Sequence, residues 1–204
     1  MDDATADIAR KREDEYFRRQ DQQRLAEIRQ AATREAEAAR LMEVLGIPER
    51  EVLRELAEAG IDSEVYRLLC VVPAVEVAWA DGNVSTRERE ELFRIAILYE
   101  IKESDAAHDR LLAWLTQRPP DQFFQACMRG LKAMLRHRAP TEAESLRREL
   151  AWNCSRVAAA SGGFLGMGPA ISREERRILQ RVSAELDARG DSATEGIIEK
   201  LQRR

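Results

Sequence analysis

One stretch limits what this chain can fold into more than any other: residues 74–98, AVEVAWADGNVSTREREELFRIAIL. Asp81-Gly82-Asn83 is turn chemistry, because glycine accepts left-handed backbone and an aspartate side chain bonds the backbone two residues on. Ser85-Thr86-Arg87-Glu88 fits the S-x-x-E capping box. In that motif the hydroxyl accepts the amide of the glutamate, and the carboxylate accepts the amide of the serine. The stretch therefore predicts two helices joined by a sharp turn, with Val84 packing just ahead of the cap. A degenerate copy follows over residues 157–179. There Ala160 aligns with Ala80, Gly162 with Gly82, Ile171-Ser172 with Val84-Ser85, and Glu175 with Glu88. The second copy has a longer loop, and Ser161 stands where the first has Asp81. Two such hairpins can bury a shared core about a pseudo-twofold axis.

The rest of the chain reads as helices around this pair. Residues 3–45 hold no Gly or Pro and are dominated by Ala, Glu, Arg and Gln, which are good helix formers. One long helix is expected, with Phe17, Leu25, Ile28, Ala32, Ala36, Ala39 and Met42 as a thin apolar stripe. It should dock partly on the body or on a partner; a self-paired coiled coil and a solvated spacer remain open. Gly46 stops it. Further helices are expected over 48–59, ended by Gly60, and from Asp62 or Ser63 to Ala80, bent or broken at Pro73. The capped helix should reach Ile101, with Leu92, Phe93, Ala96, Ile97 and Ile101 inward. Then come 104–117, and 120–137 with Gly130 at a close helix crossing. A capping box at Thr141 should open the next helix, which reaches Ala160 with Leu146, Leu150, Cys154, Val157 and Ala158 inward. The last two helices are 172–188 and 193–202. Trp79, Trp114 and Trp152 are expected in the core. No stretch carries a period-two strand pattern. The class is all-α: a bundle of about seven to nine helices with a pseudo-repeated hairpin and a long N-terminal helix. Residues 1–45 read as a charged arm and 46–204 as the domain.

The net charge of −4 and pI near 5.5 argue against a general nucleic-acid binder, which needs a basic face to release phosphate counterions. No apolar run approaches the length of a membrane span, and the acidic N-terminus lacks a secretory core. A cytoplasmic protein is expected, with peripheral membrane association and oligomerisation left open. Cys70, Cys127 and Cys154 form no metal or disulfide spacing and read as reduced, buried thiols.

Little in the chain suggests catalysis. His108 and His137 have no partner at metal or catalytic spacing. Asp81, Asn83 and Ser85 mimic the first ligands of a calcium loop. Thr86 and Leu92 then occupy the positions where an EF-hand needs Gly and Glu. A smaller carboxylate site using Asp81 and Glu88 competes with the plainer reading, in which both carboxylates serve the turn and the cap. The loop SGGFLGMG (161–168) lacks the phosphate-loop residues and reads as a hairpin with a sticky tip.

VAWADGNVSTRERE (77–90), with its A-D-G-x-V-S-x-x-E core, and ASGGFLGMGPAISREERRIL (160–179) resemble the TerB-like family, named from tellurite resistance. The resemblance covers about residues 62–188. It implies an all-α, non-enzymatic module from bacterial chemical-stress or phage-defence settings that acts as a protein-binding adapter. It also implies a divalent cation held through acidic turn residues, here Asp81, Glu88 and Glu175, in a metal-binding or metal-sensing alternative. Ser161 departs from the acidic turn position. Partner contact is expected through the N-terminal arm or the 163–169 loop. REDEYFRRQDQQRLAEIRQ (12–30) also resembles a bacterial ATP-synthase inhibitor subunit, which would imply a regulatory inhibitor acting through the first helix.

Overall fold

A computed structural model describes residues 3–160 and 173–186, with side chains from residue 18 onward except Glu175 and Ser183. Among the described residues there are eight α-helices and no strand. They are α1 (Asp3–Leu45), α2 (Arg50–Glu58), α3 (Val72–Ala78), α4 (Thr86–Leu98), α5 (Ala106–Thr116), α6 (Asp121–Arg136), α7 (Pro140–Ala160) and α8 (Arg173–Leu186). A 3₁₀ turn, Tyr66–Cys70, precedes α3. The expected helix from residue 62 to 80 is thus two pieces. Pro73 lies in the first turn of α3, where its missing N–H costs nothing, rather than bending a continuous helix.

Helices α3 and α4 form the first hairpin, α7 and α8 the second. Helix α3 packs on α7; α3 also meets α8, and α4 meets α7. That set of contacts maps onto itself when the hairpins are exchanged, as a pseudo-twofold arrangement requires. The halves are not of equal length: α3 has 7 residues and α7 has 21. Helix α6 closes the core against α2, α3 and α8. At the α2–α6 crossing, a Cβ on Gly130 would stand 2.8 Å from Leu56 Cδ1. The close approach expected at Gly130 is therefore real, and Leu56 fills the space that glycine leaves.

Two helices end in the same way. At the end of α2 the Gly60 amide donates to the Ala57 carbonyl and the Ile61 amide to the Leu56 carbonyl. At the end of α4 the Glu100 amide donates to Ile97 and the Ile101 amide to Ala96. Both are Schellman motifs, whose left-handed residue is Gly60 (φ +81°) in one and Glu100 (φ +58°) in the other. Ile61 and Ile101, the residues that follow, are both buried. Helix α4 therefore stops at Leu98, short of the expected Ile101, and Ile101 reaches the core from beyond the helix.

Three apolar assignments are corrected. Ile97, expected inward, is 67% exposed, because α4 turns Glu88, Leu92, Ile95 and Ala96 to the core instead. Trp152, expected in the core, is 52% exposed on the outer side of α7. In α1 the docked face is Ala38, Leu41 and Leu45, while Ala32, Ala36, Ala39 and Met42 are exposed. The Thr141 capping box does not form as expected. Helix α7 begins one residue earlier, and the Ala143 amide donates to the Ala139 carbonyl. The inward residues expected in α7 are all buried, as are Leu179, Val182 and Leu186 of α8. The expected last helix (193–202) and the 161–170 loop lie outside the described residues.

Candidate functional site

The turn between α3 and α4 is built as its residues dictate. Gly82 holds φ +89° with open space where a side chain would stand. The Asn83 amide donates to Asp81 Oδ1 at 3.0 Å, so Asp81 nucleates the turn. The capping box is complete: the Glu88 amide donates to Ser85 Oγ at 3.3 Å, and the Ser85 amide to Glu88 Oε2 at 2.7 Å. Val84 is buried ahead of it. Two further bonds fix the hairpin to the end of α5. Trp79 Nε1 donates to the Trp114 carbonyl at 2.9 Å, and Arg89 Nη2 to the Leu115 carbonyl at 3.0 Å. These satisfy carbonyls that a helix end would otherwise leave unpaired.

This geometry bears on metal binding. A hard cation needs several oxygens converging on one point. Asp81 is exposed and already accepts a backbone amide; Glu88 is 1% exposed and spends one oxygen on the cap. The Glu175 side chain is outside those described. Among the described residues no three His, Cys, Asp or Glu side chains come together in a way that could hold a metal ion. Of the three expected ligands, Asp81 and Glu88 each accept a backbone amide of the turn or the cap.

Two buried carboxylates that sequence reasoning passed over tie the hairpins together. Glu76 of α3, 7% exposed, pairs with Arg181 of α8. Glu91 of α4, 8% exposed, pairs with Arg156 of α7 at 2.5 Å and with Arg94 at 2.8 Å. The repeat alignment equates Glu76 with Arg156 and Arg94 with Arg181. Only the first match reverses sign: Glu76 answers to Arg156, whereas Arg94 and Arg181 are both basic and Glu91 answers to Ile178. The signal was present in the sequence: Glu76 is the one charge in the apolar run VVPAVEVAWA.

The cysteines carry no chemistry. Burial pushes the thiols of Cys70 and Cys154 up to about 12 and that of Cys127 up as well, so none forms a reactive thiolate at neutral pH. All three are free. His137 Nε2 lies 2.9 Å from Glu49, and His108 stacks on Phe93 with ring centroids 5.0 Å apart.

Exposed apolar side chains lie elsewhere. From residue 18 to 34, α1 is exposed except at Gln20, with Leu25 and Ile28 at 52% and 65%. Ile97 and Leu112, both exposed, line the groove between α4 and α5, and Leu98 is exposed as well. The 163–169 loop, the other expected contact, lies outside the described residues. No helix among them is long and apolar enough to cross a membrane. No family model matches the chain, and no curated protein or solved structure matches it.

Proposed function

We propose that the chain is a non-catalytic, TerB-like helical module that works as a protein-binding adapter, with α1 as its principal contact. What supports this is one observation above the rest. The stretch 18–34 of α1 carries Leu25 and Ile28 three residues apart on one face, and among the described residues they stay 52% and 65% exposed. Residues at that spacing share a helix face and can anchor a helix in a groove. The helix is rooted at its other end: Glu35 pairs with Arg50 and Arg54, and the Ser63 amide donates to Glu37 at 2.6 Å. A firmly held root with an uncovered extension suits capture of another protein better than chemistry on a small molecule. The bacterial stress or defence setting follows from the family resemblance. The test is affinity capture from host lysate with three proteins: the full chain, a chain lacking residues 1–34, and the Leu25→Glu/Ile28→Glu variant. Both altered chains should lose the same partners. An unchanged partner set would overturn the reading.

A further inference from the structure

A cleft of about 770 Å³ opens between α2, α5 and α6, within the size range of ligand-binding pockets. Its floor is aromatic: the rings of Trp114 and Phe123 lie 4.8 Å apart, tilted by 58°. Gln117, Gln122 and Gln125 line it, and no described residue hydrogen-bonds their side-chain amides. The charges around it are mostly satisfied. Glu55 pairs with Arg129 at 2.6 Å, Glu58 with Arg34 at 3.2 Å, and Arg118 with Asp121 at 2.7 Å.

Arg110 differs. It is half-buried, and no described residue gives it an ion pair or a hydrogen bond. Its Nη1 sits 2.9 Å from where a side chain on Gly60 would begin, so the glycine leaves room for the guanidinium. A cation beside the C-terminal end of α2 is mildly favoured by the helix dipole. That accounts for the charge, but not for an aromatic floor and free amides around it.

We propose that this cleft binds the carboxyl terminus of a peptide whose last side chain is apolar. Arg110 pairs with the terminal carboxylate through two parallel N–H···O bonds, as a planar guanidinium does best. The last side chain lies on Trp114 and Phe123. The glutamine amides, each both donor and acceptor, serve the peptide backbone behind it. The cleft is lined by α2, α5 and α6 and meets the α1 arm at the Arg34–Glu58 pair on its rim, while Leu25 and Ile28 are not among its lining residues, so this goes beyond the adapter reading and can fail without it.

The test is an amide-resolved NMR titration of the full chain with four probes: N-acetyl-leucine, N-acetyl-leucinamide, acetate, and an N-acetylated hexapeptide ending Ala-Leu with a free carboxylate. N-acetyl-leucine should shift the Gly60 and Trp114 signals, and the leucinamide should bind at least about tenfold more weakly. The hexapeptide should bind about tenfold more tightly than N-acetyl-leucine. Arg110→Gln should abolish binding with the rest of the spectrum unchanged, and Arg110→Lys should keep part of it. The Leu25→Glu/Ile28→Glu variant, which keeps the Arg34–Glu58 pair at the rim of the cleft, should leave hexapeptide binding intact. Equal binding of acid and amide, acetate matching N-acetyl-leucine, or no response to the hexapeptide would overturn the proposal. A hexapeptide no tighter than N-acetyl-leucine would overturn it in favour of a small carboxylate. If arm removal abolishes partner capture while the hexapeptide does not bind, the adapter reading stands and this one falls.

Discussion

Glu100 occupies a left-handed position that α2 fills with glycine. A side chain there costs about 1–2 kcal/mol. Glu100→Gly should therefore stabilise the protein by about 1 kcal/mol, read as a raised urea midpoint at constant slope. The overrun of α4 to Ile101 in the sequence reading has the same origin. Ile101 is apolar and inward, as its spacing suggests, and no glycine marks the stop. Gly130→Ala tests the opposite case. Alanine gains about 1 kcal/mol of helix propensity but must displace Leu56, which is fully buried, at about 1–3 kcal/mol. A net loss is expected, smaller when Leu56 is also cut to alanine. Ser85→Ala removes an acceptor that the sequence alone identified, and should cost about 1 kcal/mol in the same assay.

Among elements, the two hairpins were legible and the links between them were not. Turn and cap residues act over three or four positions, so ADGNVSTRE declares its structure locally. Glu76–Arg181 joins residues 105 apart, and nothing local announces it. Glu76 has Arg181 as its partner, whereas Glu91 keeps Arg94 when Arg156 is lost. Arg181→Leu should thus destabilise by about 1–3 kcal/mol and Arg156→Leu by less, compared by chemical denaturation. Exposed apolar residues misled for a related reason. Ile97 and Trp152 fit an inward spacing, but neighbouring helices decide which side of α4 or α7 is covered. The α1 stripe failed similarly: among the described side chains, the buried ones lie in its last turns. Glu37 ties that root down. Burial is the largest influence and works to raise its pKa, but the hydrogen bonding from Ser63 and the paired charge of Arg40 together outweigh it, so the carboxyl titrates below its ordinary 4.5. Its contribution is complete above that value and is lost as pH falls through the lower folded value. Amide exchange over Ala38–Leu45, corrected for intrinsic rates, should quicken below pH 4.5 while the α6 core does not follow.

At the scale of the whole molecule, the arm and the body should be energetically separable. Residues 18–34 meet the body chiefly through the Arg34–Glu58 pair, whose side chains are about half exposed. Such pairs contribute about 0–1 kcal/mol. Removing residues 1–34 should leave the thermal midpoint within about 2–4 °C of the full chain, as followed by circular dichroism. A larger drop would mean that the arm supports the fold. The capping and turn residues and the lack of a period-two pattern predicted the helical class. They could not tell a docked first helix from a free one, because a thin apolar stripe suits both.

A straight helix of 43 residues measures roughly 65 Å, more than twice the width of a small domain. A particle with such a spar tumbles slowly and drags on its solvent. It will run ahead of compact 23.2 kDa standards in gel filtration even as a monomer, so only mass measured directly by light scattering or sedimentation equilibrium counts its copies.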